Sequence, residues 1–313
     1  MNKLVIIDGN AIMHRAFHAI PSLTTPNGEP INAVYGLISM LLKVIGEIKP
    51  SHIAVAFDRK EPTFRQKELP TYQAQRPPMA NELASQFEKA SKFLAAANIP
   101  VYSKAGYEAD DVIGTIVSKA TNTSTLTLSS SPALIDEVVI VTGDRDQLQL
   151  VDDKLNIKLY MPVAGILNAK LYGESDTVER MGVPPIQIVD LKALTGDASD
   201  NYFGVPGIGP KTAETLLSKY KTVKGIYEHM DEISGGVKEK LENGKKSADQ
   251  SYFLATIDRN VPIDLDFEEM GKWNISGQKV IKLFGEEFGF KTLTKRVLDV
   301  GKKIEEDKQG SLF

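Results

Sequence analysis

Three short apolar runs, each ending on an aspartate, limit most strongly the folds open to this chain. They occupy residues 4–8, 53–58 and 138–144 and are rich in Val and Ile. Such continuous runs are typical of strands buried on both faces of a parallel sheet. Residues 34–48 and 83–97, which lie between the runs, have apolar residues at helical spacing. The alternation predicts an α/β fold with a mostly parallel central sheet flanked by helices.

The aspartates that end these runs are Asp8, Asp58 and Asp144. In folds of this kind, ligands bind at the carboxyl ends of the strands, so the three side chains are predicted to meet in one crevice. An aspartate after a strand is also ordinary turn chemistry. Three of them in one chain favour a site.

A second acidic group opens a predicted helix and consists of Glu108, Asp110 and Asp111. Acids at a helix N-terminus are stabilised by the helix dipole and can act as caps. Capping needs only one of the three. Glu108 and Asp111 are three residues apart and therefore share a helix face, with Asp110 beside them.

Three more acids follow in two short segments. Strand alternation directs Asp146 to the same side as Asp144, and Asp197 and Asp200 lie in a loop at the end of a predicted helix. Together with the groups above they make nine carboxylates. Carboxylates gathered without cations repel one another strongly, and two or more divalent ions would relieve that repulsion.

The composition agrees with a metal site built from oxygen ligands. The 313 residues include no cysteine, which excludes disulfides, thiolate zinc sites and cysteine nucleophiles. Hard cations such as Mg²⁺ or Mn²⁺ are the expected cofactors. The net charge of −4 does not exclude nucleic acid as a partner, because setting aside the nine carboxylates leaves the remainder at +5.

A glycine-rich segment before a predicted helix is a candidate phosphate-binding site. Glycines let the backbone approach a phosphate, and a helix N-terminus offers free N–H groups to it. A nucleotide P-loop is disfavoured because Pro210 interrupts the motif and no strand precedes it; a plain helical turn stays open. The candidate residues are Gly204, Gly207, Gly209, Lys211 and Thr212.

Residues 59–76 combine cations with aromatic rings, a pattern suited to single-stranded nucleic acid. A solvated charged loop is the alternative. The candidate contacts in this segment are Arg65, Tyr72, Gln73 and Arg76, and the first predicted helix adds Arg15. His14 and His18 are four residues apart on that helix, where a place on the helix surface is favoured over a metal site.

The acidic motifs, in their order and spacing, resemble those of the 5′-nuclease domain of bacterial DNA polymerase I and of flap endonucleases, over residues 3–290. The resemblance implies a structure-specific 5′-nuclease that hydrolyses branched or 5′-ended DNA with two metal ions. One ion would be surrounded by Asp8, Asp58, Glu108, Asp110, Asp111 and Asp144. The other would be held by Asp146, Asp197 and Asp200, with Asp144 or Asp110 shared.

The same resemblance implies how DNA is held. The glycine-rich segment looks like the family's helix-three-turn-helix, which grips duplex phosphates and is a candidate K⁺ site. Residues 72–76 resemble the base of the family's arch, through which the 5′ strand passes. The family usually has a lysine after the tyrosine, whereas this chain has Gln73. Arg76 and Arg15 then become the candidate phosphate clamps.

Two other classes of function are less favoured by the sequence. A catalytically silent DNA-binding module with the same scaffold is disfavoured because all nine acids are present. A phosphohydrolase of small nucleotides would not need the hairpin and the basic segment.

The sequence predicts two folded regions, an α/β domain followed by a helical region. Residues 1–184 form the α/β nuclease domain, with an arch at about 59–95. Residues 185–298 form a helical DNA-binding region, with the hairpin at about 189–220. The Ser/Thr-rich stretch 121–131 is predicted to be a surface loop or an insertion.

Residues 299–313 are predicted to be a mobile tail ending in Gln309-Gly-Ser-Leu312-Phe313. This ending looks like the short motif by which bacterial replication proteins bind the sliding clamp, while docking onto the protein's own surface is the alternative. Such an ending is expected of a free-standing nuclease. With no signal peptide and no apolar run of membrane length, we expect a cytoplasmic monomer without a membrane partner.

Overall fold

The computed structural model describes residues 1–121 and 135–310, and of residues 308–310 only the backbone. The predicted surface loop at 121–131, apart from Thr121, therefore lies outside the described residues. So do Leu312, Phe313 and the side chain of Gln309. Within the described ranges no helix combines the length and the apolar character needed to cross a bilayer.

A mixed sheet forms the centre of the molecule. In the described residues it has six strands in the order β3-β2-β1-β4-β5-β6, all parallel except the edge strand β6. The predicted mostly parallel α/β fold is confirmed. The strands are β1 (Lys3–Asp8), β2 (His52–Ala56), β3 (Val101–Tyr102), β4 (Glu137–Val141), β5 (Ile157–Ala164) and β6 (Asn168–Tyr172).

Helices cover both faces of this sheet and, joined by loops, dominate the described chain after β6. They are α1 (Gly9–Ala19), α2 (Asn32–Ile48), α3 (Phe64–Glu68), α4 (Asn81–Ala96), α5 (Ala109–Thr121), α6 (Glu174–Met181), α7 (Ile188–Thr195), α8 (Pro210–Tyr220), α9 (Val223–Glu228), α10 (Gly235–Ala255), α11 (Phe267–Met270), α12 (Gln278–Leu283) and α13 (Lys291–Gly310). Short 3₁₀ turns occupy Asp146–Leu150, Pro185–Gln187 and Met230–Glu232, and a π-helical turn occupies Phe284–Phe288.

Side-chain alternation along the central strand divides the core into two clusters. Leu4 and Ile6 of β1 point to one face, where they join the apolar residues of α5. Val5 and Ile7 point to the opposite face, where α1 and α2 lie. Because β1 is buried on both faces, its run is apolar throughout. The aspartate that ends it lies at the carboxyl edge of the sheet.

The first cluster continues from the sheet into the helical region. Leu194 of α7, Leu217 of α8 and Leu241 of α10 all belong to it. The helical region therefore shares a core with the α/β layer, which fixes the position of the hairpin relative to the carboxyl edge.

The end of the chain differs from the prediction that residues 185–298 form one helical region. After residue 272 the chain returns to the α/β layer, where Phe284, Phe288 and Leu293 join the second cluster. The ring of Phe284 stacks on Phe93 of α4, with centroids 5.8 Å apart. The apolar side chains of this segment complete the cluster on the second face of the sheet.

The predicted mobile tail from residue 299 is wrong as far as Gly310, because α13 continues to that residue. Its charged residues alternate with an apolar stripe. Val297 is buried, and Val300 and Ile304 pack on the same cluster. Lys49 and Asp307 also form an ion pair of 2.7 Å.

Two substitutions in this C-terminal segment test its packing. Phe284→Ala should lower the free energy of unfolding by about 3–5 kcal/mol, because it removes a fully buried ring. Leu298→Ala, at a position on α13 that is 42% exposed, should change it by less than about 0.5 kcal/mol. Urea unfolding followed by circular dichroism measures both. If both substitutions lowered the free energy of unfolding equally, the packing described for Phe284 would be wrong.

Candidate active site

The carboxyl edge of the sheet opens into a cleft of about 500 Å³. Asp8 ends β1 and caps α1, since one carboxylate oxygen accepts from the Ala11 amide at 2.9 Å. Its other oxygen accepts from the Thr142 hydroxyl at 2.7 Å. Asp58 follows β2 and accepts from the Ala109 amide at the start of α5 at 2.7 Å. Both side chains are thus oriented by neighbouring elements.

The other acids of this cleft come from α5 and from the turn after β4. Gln147 donates to Asp110 at 2.7 Å. Asp144 accepts from the Asp146 amide at 2.8 Å. Of the predicted metal ligands, the structure brings six to the walls of this one cleft: Asp8, Asp58, Glu108, Asp110, Asp144 and Asp200.

A second acidic group lies beside the cleft. Asp146, Asp197 and Asp200 each offer an oxygen, and these oxygens lie within 4.8 Å of one another, a spacing that suits a cation. An isolated β-bridge closes the loop after α7, because Asp197 and Tyr202 exchange backbone hydrogen bonds of 3.0 and 3.1 Å. The prediction that Asp197 and Asp200 lie near Asp146 agrees with this geometry.

Lys192 of α7 is a site residue that sequence reasoning missed. Its ammonium is buried and donates to Asp146 and, at 2.5 Å, to Asp197. Burial alone would lower the pKa of Lys192, but the two carboxylates raise it overall. Lys192 in turn lowers the pKa of Asp197 to about 2, although burial acts in the opposite sense. The only sequence signal for Lys192 is that it is the single lysine in the otherwise mostly apolar helix α7.

Burial and mutual repulsion change the acidity of the carboxyl groups. Burial, with the charges of Asp58 and Asp144, raises the pKa of Asp8 to about 7. Burial raises the pKa of Glu108 to about 7 and that of Asp146 to about 6. The pKa of Asp110 is raised by burial and by Asp144. Since every donor is oxygen and the groups are crowded, the site fits hard divalent cations.

Asp111 and Arg65 do not have their predicted roles as metal ligand and DNA contact. Both are buried and form a bidentate ion pair, with Nη1 and Nη2 of Arg65 each 2.8 Å from an Asp111 oxygen. Arg65 also bonds Glu108 and the carbonyls of Leu254 and Thr256. These contacts use the five donors of the guanidinium. The pair instead fixes the start of α5 against the end of α10.

Tyr72 was predicted to stack on bases, and the structure contradicts this. The side chain is 4% exposed, and its ring stacks on Tyr202 with centroids 6.2 Å apart. Its hydroxyl donates to Asp200 at 3.2 Å. A ring covered in this way orients a carboxylate and has no free face for a base.

Gln73 and Arg76, the predicted contacts near the reacting phosphate, line the cleft. Gln73 has a positive φ of 56° and donates to Asp200 at 3.1 Å. Arg76 pairs with the same carboxylate and is half exposed. Arg15 lies further out, where its Nε donates to the Gly165 carbonyl at 2.6 Å. His14 also lines the cleft, although a place on the helix surface was favoured.

The predicted arch, residues 59–95, is too long. From Asn81 the chain forms α4, whose Leu83, Phe93 and Leu94 are buried in the second cluster. Gln86 of α4 accepts from the Ala33 amide at 2.8 Å. Helix α4 therefore belongs to the core, and only residues up to 80 are free to form the entry to the cleft.

The glycine-rich segment forms a tight turn between α7 and α8. Pro210 occupies the first helical position of α8, as predicted. Gly207 has a φ of 80°, and Gly204 packs so closely that an added Cβ would lie 2.4 Å from the Leu194 carbonyl oxygen. Gly207, Gly209 and Lys211 are exposed, while Thr212 is half-buried. The turn presents backbone and a cation to solvent.

A mixed α/β sheet with an acidic carboxyl edge, joined to a helical hairpin region, defines the PIN-like 5′-nuclease class. Family models agree over most of the chain. Residues 3–182 match the 5′-3′ exonuclease N-terminal resolvase-like domain, and residues 183–277 match the 5′-3′ exonuclease C-terminal SAM fold. The chain belongs to the 5′-3′ exonuclease family.

Curated relatives agree with this assignment. DNA polymerase I of Caldicellulosiruptor bescii is 39% identical over 295 residues, which cover 94% of this chain and 33% of the relative. DNA polymerase I of Bacillus subtilis is 37% identical over 306 residues, covering 97% and 33%. The chain thus spans about a third of the length of these relatives.

Solved structures share the fold. The T5 D15 protein co-crystallised with metal ions has a TM-score of 0.64 at 20% identity, covering 96% of this chain and 100% of that one. The catalytic core of Rad2 in complex with DNA substrate has a TM-score of 0.60 at 14% identity, covering 96% and 91%.

The raised pKa values predict how stability depends on pH in the presence of a chelator. Asp8 and Glu108 have folded pKa values of about 7 against ordinary values of 3.8 and 4.5. Between about pH 4 and 7 the folded state therefore keeps protons that the unfolded state releases. The free energy of unfolding should fall as the pH rises through this window.

Urea unfolding at pH 5 and pH 7.5 measures this change. Excess Mg²⁺ or Mn²⁺ at pH 7.5 should restore stability, because a cation replaces the lost protons. A free energy of unfolding that increases from pH 5 to pH 7.5 in chelator would contradict the electrostatics described for the cleft.

Proposed function

We propose that this chain is a structure-specific 5′-nuclease, acting as 5′-3′ exonuclease and flap endonuclease on branched or 5′-ended DNA in replication and repair. The observation that carries the proposal is the convergence of carboxylates from β1, β2, α5, the turn after β4 and the loop after α7 on one edge of the sheet. Membership of the 5′-3′ exonuclease family supports it.

The donor set fits two divalent cations. Asp8, Asp58, Glu108, Asp110 and Asp144 would hold the first, and Asp146, Asp197 and Asp200 the second. When bound, two such ions activate water and stabilise the leaving oxygen of a phosphodiester displacement. The protein's own contribution is orientation, since Thr142 and Gln147 fix Asp8 and Asp110 by hydrogen bonds.

Two regions of the protein would contact the DNA. Gln73 and Arg76 lie at the mouth of the cleft, where Arg76 can pair with a phosphate and Gln73 can donate a hydrogen bond to one. The exposed turn with Gly207, Gly209 and Lys211 would hold the duplex phosphates, with Gly204 and Thr212 shaping it. Arg15 is a further phosphate contact in this proposal.

The remaining proposals rest on the sequence and on the family resemblance. They are Mg²⁺ or Mn²⁺ as the cation, K⁺ at the hairpin, and action as a cytoplasmic monomer. A sliding clamp is a further proposed partner, bound through Gln309, Leu312 and Phe313.

A cleavage assay on a labelled 5′-flap substrate tests the function. Hydrolysis should require Mg²⁺ or Mn²⁺ and stop in excess chelator. Asp144→Ala should reduce the single-turnover rate by more than about a thousandfold while DNA affinity is retained, because the variant lacks a central metal ligand. Lys272→Ala, next to Gly271, which lies beside His52 at the amino edge of the sheet, is the matched control and should cleave normally. Full activity in chelator would overturn the mechanism.

A peptide of the last ten residues tests the clamp. It should bind a bacterial sliding clamp in the micromolar range, equivalent to about −8 kcal/mol. Replacing Leu312 and Phe313 by Ala should remove this binding and leave cleavage of free flap DNA unchanged. Calorimetry that detects no heat of binding with the cognate clamp would refute the clamp and leave the nuclease proposal standing.

A further inference from the structure

Lys192 lies inside the second acidic group, to which the proposed function assigns a cation. The carboxylates of Asp146, Asp197 and Asp200 each offer an oxygen, and these oxygens lie within 4.8 Å of one another. The Lys192 ammonium donates to Asp146 and, at 2.5 Å, to Asp197. A positive charge of the protein itself is therefore already bonded to two of the three carboxylates that would hold the ion.

Helix α7, which carries Lys192, is fixed against its neighbours. Leu191 and Leu194 are buried, and Lys192 itself is only 7% exposed. The Asp190 carboxylate accepts from the Val223 amide of α9 at 2.7 Å. With the helix held in this way, the flexible four-carbon stem is the part of Lys192 that can move. The ammonium can therefore leave the acids by rotation of the side chain alone.

A second buried polar group lies at the same place. The Tyr202 hydroxyl has no hydrogen-bond partner among the residues that the structure describes. Burial raises the pKa of Tyr202, and the charges of Lys192 and Asp146 also act on it, in opposite senses. The hydroxyl is thus close enough to feel the charges of the second acidic group. A buried hydroxyl without a partner is unfavourable, and its oxygen is an acceptor that a cation or a shifted ammonium can use.

Charge distinguishes the second acidic group from the five carboxylates proposed for the first cation. Counted as ionised, the second group has three carboxylates, and Lys192 and Arg76 pair with them. One negative charge then remains. Among the described residues, the cation that pairs with the first five carboxylates is Arg65, through Glu108 at 3.0 Å. At least four negative charges remain there, so a divalent ion is attracted more strongly to the first group.

We propose that Lys192 is the internal counter-ion of the second acidic group, and that its ammonium must leave Asp146 and Asp197 before a second divalent cation binds there. The inference rests on the proposed function, because that function places a cation at this group. In the cation-free protein the ammonium keeps two buried carboxylates paired. It also makes the second cation bind more weakly than the first, because the ion has to replace two charge-assisted hydrogen bonds.

Binding of Mn²⁺ to the whole chain measures this competition, with free Mn²⁺ counted by electron paramagnetic resonance. The wild-type protein should show one tighter and one weaker site. Lys192→Met keeps the apolar stem and removes the charge, so it should raise the affinity of the weaker site about tenfold or more and leave the tighter site unchanged. Loss of a merely structural support would lower the affinity instead, so the sign of the change separates the two roles.

Two control variants identify the site. Lys119→Met removes a half-buried lysine that donates to the Ile263 carbonyl at 3.0 Å, and it should change neither affinity. Asp197→Ala should abolish the weaker site and keep the tighter one. Adding Lys192→Met to Asp197→Ala should not restore the weaker site, because a ligand of the cation is then missing.

Stability gives an independent readout. In chelator, Lys192→Met should unfold at a lower urea concentration than the wild-type protein, because Asp146 and Asp197 lose a buried partner. Saturating Mn²⁺ should close this gap, since the variant binds the second cation more tightly. A gap that stays the same in Mn²⁺ would count against a counter-ion that the cation replaces.

If Lys192→Met does not fold in chelator, nuclear magnetic resonance of the wild-type protein decides the question. With lysine isotope-labelled at Cε, the Lys192 signal, assigned with Lys192→Arg, should move when the second equivalent of Mg²⁺ binds. The inference is wrong if this signal does not respond to the second ion, or if Lys192→Met leaves the weaker site unchanged or weakens it. A wild-type protein that binds no divalent cation would instead refute the proposed function.

Discussion

Carboxylates buried side by side repel one another, and much of this molecule is arranged around that repulsion. The cleft at the carboxyl edge holds acids from elements far apart in sequence. The protein neutralises part of this charge with its own cations. Arg65 pairs with Asp111, Lys192 with Asp146 and Asp197, and Arg76 with Asp200. Protonation or divalent ions must balance the rest, so the same repulsion accounts for the raised pKa values and for the fit to metal.

The part of the site that could be predicted from sequence is the part that depends on local pattern. Asp8 and Asp58 lie at the ends of strands whose apolar runs indicate burial on both faces. Parallel order then brings them to one edge. Pro210 and the glycines before it likewise specify a turn and a helix start from neighbouring residues alone.

The unpredicted part depends on which charges are buried, and burial is decided by distant contacts. Arg65 is a surface cation by composition, yet it bonds Asp111 and the carbonyl of Leu254, 189 residues away in sequence. Lys192 is recognisable as a site residue only once Asp146 is seen beside it. The same applies to α4, whose amphipathic pattern shows that it packs on something but not on what.

The return of the chain to the α/β layer after residue 272 has a consequence for biosynthesis. The central strand β1 is made long before Leu293 and Val297, which complete the cluster on one of its faces. The helical region is synthesised between them. The α/β layer therefore cannot finish folding before the segment after residue 272 has left the ribosome, and its incomplete apolar face stays exposed to chaperones until then.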